Sequence, residues 1–223
     1  MGIRIITLSE NTAARSDVLA EWGFSVLIEA EGQNILMDAA ASITASYNAE
    51  IMGIDLQKIN RIVLSHGHFD HSGGLRELLK KIKKEVEIIA HPDIWAPKYS
   101  RNKGKPDRYI GLPYPQQELE SLGARFRLTT EPVMLTENIM TTGEIPLVTD
   151  FEKIEPSLYV QSKDDWKPDP LLDDLSLVIN TQKGLVVILG CAHRGMINTL
   201  YRARTIARNR KIHMVIGGSH LKD

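Results

Sequence analysis

Residues His66-Gly67-His68-Phe69-Asp70-His71 place three imidazoles and a carboxylate within six positions, directly after the apolar run Ile62-Val63-Leu64. Imidazole nitrogens and carboxylate oxygens are the usual donors to zinc and other divalent first-row metals, so this segment offers metal ligation. Gly67 allows a sharp turn between the first two histidines, and Ser72-Gly73-Gly74 closes the loop ahead of a helical stretch. Similar groups follow other apolar runs: Asp38 after Ile35-Leu36-Met37, His193 within Gly190-Cys191-Ala192-His193-Arg194-Gly195, and His220 within Gly217-Gly218-Ser219-His220. These donors would converge if their strands shared one edge of a sheet.

The elements that would position them follow from hydrophobic period. Ile3–Leu8, Phe24–Ile28 and Ile35–Met37 read as strands, the last two joined by a turn at Gly32-Gln33-Asn34. Arg61–Ser65 and Val86–Ala90 are further strands. Between them, Gly74–Lys84 carries Leu75, Leu78, Leu79 and Ile82 on one helical face. Leu175–Asn180, Leu185–Leu189 and Ile212–Ile216 continue the series, with a helix over Met196–Asn209. Strands alternating with helices specify an α/β fold. From about 92 to 157 the pattern loosens: Pro97, Pro106, Pro113 and Pro115 interrupt any long element, and Lys98, Arg101, Lys103, Lys105 and Arg108 form a basic cluster. Such a segment is either a solvated excursion or a lid, and as a lid its basic residues would hold a phosphate or carboxylate. Residues 1–223 are accordingly expected to form one domain with an irregular insertion or lid at about 92–157.

At 223 residues with 43% hydrophobic and 25% charged residues, the chain has the make-up of a globular protein with a full core. A formal charge of -1 argues against nucleic acid or an anionic membrane as partner. Cys191 is the only cysteine, which excludes an internal disulfide and suits a cytoplasmic protein. No apolar run reaches the ~18–20 residues of a spanning helix.

The His-x-His-x-Asp-His motif after a strand resembles that of the metallo-β-lactamase-fold superfamily. The whole chain is similar to a branch of metal-dependent hydrolases that includes dihydropterin-ribofuranosyl-aminobenzene-phosphate synthases. The supporting segments are Glu10-Asn11-Thr12, Gly23–Ile28, Ile35–Asp38, Asp173–Ile179, Gly190-Cys191-Ala192-His193 with Asn198-Thr199, and Gly217-Gly218-Ser219-His220-Leu221.

That resemblance implies a four-layer αβ/βα sandwich with two divalent metal ions, zinc (Zn2+) first, with Mn2+, Fe2+ or Mg2+ as alternatives. It places His66, His68 and His193 in one site and Asp70, His71 and His220 in the other, with Asp70 also the catalytic residue that orients a metal-bound hydroxide or shuttles its proton. The superfamily usually carries a bridging Asp after the strand that here ends at Leu189, where this chain has Cys191. Cys191 is either a thiolate ligand or a small packed residue, the second being favoured, and Asp174 is an alternative carboxylate. Relatives in this branch continue through another helix and strand, so either His220 completes the second site or a ligand lies beyond Asp223, in a sandwich short of that helix and strand. Asp38 is expected to hydrogen-bond a ligand histidine. Arg194 and His91 are candidates to bind substrate; otherwise Arg194 is a surface residue and His91 structural.

The expected function is a metal-dependent hydrolase acting on a small, anionic ester or phosphate ester. The alternatives are a pterin-linked synthase, moving a dihydropterin-methyl group onto an aminobenzene ribotide, or a non-catalytic metal-bearing ligand sensor. A redox diiron centre would call for more carboxylate ligands and a flavin module, neither evident here.

Overall fold

The computed structural model describes residues 2–163 and 165–220. They fall into two compact units, Met1–Ala90 with Leu112–Leu128, and His91–Gly111 with Thr129–Asp223. The stretch 92–157 is therefore divided, with 112–128 belonging to the first unit and the remainder to the second. Among the described residues no helix is long and apolar enough to cross a membrane.

The first unit is built on a six-stranded sheet in which Arg4–Ser9, Ser25–Ala30, Gln33–Met37, Arg61–Val63, Val86–Ala90 and Ala124–Leu128 lie side by side in that order. The first three strands pair antiparallel. Their second connection is the two-residue turn Glu31-Gly32, both residues at positive φ, which matches the twist of a tight hairpin. From Gln33–Met37 onward every pairing is parallel. Parallel neighbours need crossovers, and helices Thr44–Ile51, Leu75–Ile82 and Gln116–Ser121 lie in these connections. Ile35, Leu36, Met37, Ile62, Val63, Ile88 and Ile89 are all fully buried, although alternate residues of a strand face opposite sides. That explains why these strands read as unbroken apolar runs.

Parallel pairing also brings the carboxyl ends of these strands to one edge. Asp38 and the Ser65-His66 segment leave adjacent strands there, and the Asp38 amide donates to the Val63 carbonyl at 2.9 Å. Helix Leu75–Ile82 buries Leu75, Leu78, Leu79 and Ile82, as its spacing predicts, each worth about 1.5–3 kcal/mol. Its approach depends on Gly73 and Gly74. A β-carbon at either would collide with the carbonyls of Ala41 and Ala39, so a side chain here would drive apart the loops bearing Asp38 and His71.

The second unit carries a four-stranded sheet ordered Ile212–Gly217, Gly184–Leu189, Ser176–Thr181 and Ile139–Thr141. Helix Met196–Ile206 makes the crossover between the parallel pair Gly184–Leu189 and Ile212–Gly217. Val178, Leu185, Val187, Leu189, Ala192, Ala203 and Ala207 form its core, with Met140, Met196, Leu200 and Ile206 packed against them.

A smaller antiparallel sheet of Lys98–Ser100, Arg108–Tyr109, Leu158–Ser162 and Asp165–Pro168 completes this unit. It corrects the role expected for Lys98. The Lys98 side chain is only 1% exposed, and its Nζ lies 2.9 Å from both Asp169 Oδ2 and Asp173 Oδ1. Burial by itself would lower the Lys98 pKa, but the two carboxylates outweigh it and hold the ammonium above the usual lysine value. Arg101 is likewise engaged, lying 4.1 Å over the Trp166 ring and pairing with Asp107. Lys98 is therefore not available to a substrate phosphate in this arrangement.

Candidate metal centre

The first unit gathers its ligand-type residues around Asp38. This residue sits at φ 60° and Ala40 at φ 62°, the left-handed region that aspartate tolerates and alanine rarely adopts. The conformation turns the Asp38 carboxylate back under the neighbouring loop. Its Oδ1 accepts the Ser65 amide at 2.7 Å, and its Oδ2 accepts the Ser65 hydroxyl at 2.7 Å. The same Oδ2 lies 2.6 Å from His71 Nδ1, and Asp38 is fully buried.

Donor and acceptor balance assigns the protons. A carboxylate can only accept, so His71 carries a proton on Nδ1 and turns the lone pair of Nε2 outward. Ser65 gives its hydroxyl proton to Asp38, so its oxygen accepts from His66 Nδ1 at 2.9 Å. His66 is thereby left with a basic Nε2, which lies 3.0 Å from His68 Nδ1. One buried aspartate thus sets two imidazoles, the first directly and the second through a serine. Carboxylate-to-histidine support of this kind fixes ring orientation and raises ligand basicity at metal sites.

His66, His68 and His71 are all buried, and the His66 and His71 rings stand 4.3 Å apart. Asp70 Oδ2 lies 3.8 Å from His71 Nε2, with 13% of the Asp70 side chain exposed. Its backbone is anchored where the Phe24 amide meets the Asp70 carbonyl. Buried imidazoles with oriented nitrogens, beside a partly exposed carboxylate, fit a divalent cation by their chemistry.

In the second unit the fully buried strand Gly184–Leu189 delivers Gly190-Cys191-Ala192-His193. Ala192 takes φ 51°, a second strained alanine, at a cost of about 1–3 kcal/mol. His193 is buried, and its ring lies 4.4 Å from the exposed His220 ring, so these two expected ligands are neighbours. Cys191 is half-buried and unoxidised, near the close approach of Gly218 to the Gly190 carbonyl. Asp174 is fully buried and accepts the Arg194 amide at 2.8 Å, which ties it to the His193 loop.

Arg194 has a guanidinium that donates to the Ile145 and Pro170 carbonyls, bracing two loops. Burial lowers its pKa from the usual arginine value, against the opposing pull of Asp174, Glu144 and Asp173. His91 accepts the Asp93 amide on Nδ1 at 3.0 Å and lies 2.9 Å from Glu144 Oε1 through Nε2, so both ring nitrogens have protein partners. The loop is completed from outside the motif. Glu152 accepts the Ile197 and Asn198 amides at the start of helix Met196–Ile206, and Asn198 Oδ1 accepts the Val148 and Thr149 amides.

Ser65, Glu144 and Glu152 lay outside the residues singled out in the sequence. Ser65 alone had a local signal, standing between the strand and His66.

The family description metallo-beta-lactamase superfamily matches residues 23–201. The chain is 34% identical, over 99% of its length, to the 7,8-dihydropterin-6-methyl-4-(β-D-ribofuranosyl)-aminobenzene-5'-phosphate synthase of Methanocaldococcus jannaschii, and it spans 78% of that protein. An uncharacterised protein of the same organism is 33% identical over 96% of this chain and 78% of its own length. A solved metal-dependent hydrolase of the β-lactamase superfamily aligns with a TM-score of 0.81 at 30% identity, covering 99% of this chain and 77% of that one. A quorum-quenching N-acyl homoserine lactone lactonase, at 14% identity and a TM-score of 0.54 over 97% of this chain and 91% of its own, shares the fold alone.

These matches show the expected metallo-β-lactamase fold. They also correct the expected chemistry, because the 34%-identical relative is a synthase, and this overturns the reading of the chain as a small-ester or phosphate-ester hydrolase. A motif for metal ligation does not specify which bond the metal acts on. The chain belongs to the metallo-β-lactamase superfamily.

Proposed function

We propose that this chain is a pterin-linked synthase, joining a dihydropterin-methyl group to the amino nitrogen of a ribofuranosyl-aminobenzene phosphate. The observation that carries this reading is the 34% identity to the synthase across 99% of the chain. The buried imidazole cluster around Asp38 supports a metal-dependent version of it.

The donor is a 6-hydroxymethyl-dihydropterin diphosphate. In the reaction the amine nitrogen forms a bond to the methylene carbon. The carbon–oxygen bond breaks, diphosphate leaves with the electron pair, and the nitrogen loses one proton. Two divalent ions, zinc first, are proposed; the donors that would hold them are His66, His68, Asp70 and His71 of the first unit and His193 and His220 of the second. When bound, such cations supply positive charge that stabilises a departing diphosphate. The protein's own part is positional. Asp38 and Ser65 hold the imidazoles in one tautomer, and the partly exposed Asp70 carboxylate is the group proposed to take the amine proton. Cytoplasmic action suits a chain whose only cysteine, Cys191, forms no disulfide.

Incubation of the metal-loaded protein with the pterin diphosphate and the aminobenzene ribotide is expected to release diphosphate and yield the coupled product by mass spectrometry. Absence of product, with metal bound and the protein folded, would remove this reading.

A further inference from the structure

We propose that Glu144, held by His91, is the carboxylate that recognises the pyrimidine edge of the dihydropterin; this rests on the synthase reading. The Glu144 side chain is 40% exposed, while its partner His91 is 4% exposed. His91 Nδ1 is occupied in accepting the Asp93 amide, so the ring proton lies on Nε2 and is donated to Glu144 Oε1 at 2.9 Å. A buried ring therefore aims an accessible carboxylate.

The backbone beneath Glu144 is equally constrained. Its amide donates to the Thr130 carbonyl at 2.9 Å, and Gly143 takes φ 61° where a β-carbon would strike the Thr130 carbonyl. The next residue, Ile145, is fully buried, and its carbonyl accepts from Arg194. Glu144 thus belongs to the same braced loops as His193, one residue from Arg194.

Other carboxylates around Arg194 are committed within the protein. Asp174 is fully buried and accepts the Arg194 amide, and Asp173 is buried against Lys98. Glu144 is the member of this group open to solvent. After accepting from His91 it keeps one lone pair on Oε1 and two on Oε2. The 2-amino-4-oxopyrimidine edge of a pterin presents two parallel donors, the ring N3–H and the 2-amino group. A carboxylate accepts such a pair in the bidentate manner by which it accepts an arginine. Glutamine cannot do so, because one of its two terminal atoms is itself a donor.

The test is binding rather than turnover. The full-length protein is titrated calorimetrically with 6-hydroxymethyl-7,8-dihydropterin, with its 2-deamino analogue, and with the aminobenzene ribotide. Wild-type protein is expected to bind the pterin at least about tenfold more tightly than the analogue, the size of a charge-assisted hydrogen bond. Glu144→Gln should lose about that factor for the pterin, less for the analogue, which offers N3–H alone, and nothing for the ribotide. Its unfolding midpoint should hold, since the glutamine oxygen still accepts from His91. Equal affinity of wild type for pterin and analogue would overturn the assignment without recourse to any variant. So would an E144Q variant that keeps the discrimination, or one that weakens only the ribotide; each leaves the synthase reading standing. A wild-type protein that binds no pterin overturns the synthase reading and this assignment together.

Discussion

Two buried polar clusters, one in each unit, are assembled to opposite ends. In the second unit Lys98 lies between Asp169 and Asp173 at 2.9 Å from each, and Asp169 also accepts the Leu171 amide. Its ammonium and both carboxylates find their partners inside the protein. In the first unit Asp38 takes hydrogen bonds from Ser65 and His71, and the proton order that follows leaves His66 with a basic Nε2 facing His68. The first cluster aims nitrogens, whereas the second pairs its charged groups with one another. Buried polarity alone does not mark a functional site; the direction in which its lone pairs are left does.

The largest effect expected from this contrast is at Lys98. Lys98→Ala would leave two carboxylates buried without their cation and is expected to cost about 3–5 kcal/mol in urea unfolding. Replacing all three residues with neutral ones, Lys98→Met with Asp169→Asn and Asp173→Asn, should restore most of that loss. A cost below about 1 kcal/mol for the single change would break the contrast. The pH dependence sharpens it. Because the folded-state pKa of Lys98 is raised above 10.5, its contribution is complete below that value and is lost as pH climbs through the higher folded value. The stability gap between wild type and Lys98→Met should therefore be flat at neutral pH and close only in strong alkali.

At Asp38 the expected loss is of ligand binding more than of fold. Asp38→Asn suits the left-handed backbone but no longer offers a charged acceptor to His71 and Ser65. Metal affinity measured by competition with a chelator is expected to fall about 10–100-fold, with the circular dichroism spectrum unchanged. If unfolding is the main result instead, the two clusters are alike in kind. The smallest effect is at Glu152, which caps helix Met196–Ile206 from a distant loop. Glu152→Ala should cost about 1 kcal/mol in thermal or urea unfolding and leave metal affinity at the first-unit cluster within twofold, roughly the scatter of a surface cap removal.

How much was legible follows the sequence distance over which each feature is made. The strands carry their burial in the apolar runs Ile35-Leu36-Met37, Ile62-Val63, Ile88-Ile89-Ala90 and Leu185–Leu189, and helix Leu75–Ile82 carries its face in its own spacing. His66, His68, Asp70 and His71 read as candidate ligands because six consecutive positions just beyond one strand hold them all. Lys98 was opaque, since in sequence it is one of several bases near prolines, while its partners lie 71 and 75 residues away. His91 and Glu144, 53 residues apart, were opaque for the same reason. The expected hydrolase failed differently: the ligand motif is local and chemical, but substrate choice is set by surrounding groups that the motif does not contain.

The sequence by itself determined the alternation of buried strands and helices, and with it the donors placed just beyond strand ends. Apolar period and donor type are properties of neighbouring residues, so no folding is needed to see them. Only the tertiary structure decided that Asp38 would orient His71 and, through Ser65, His66, and that Lys98 would be sealed among aspartates. It also decided that Glu144 would be aimed by a buried histidine. Each of these depends on which distant loops the strand order brings to the same edge, because a hydrogen bond of about 3 Å is sensitive to position in space and indifferent to position in the chain.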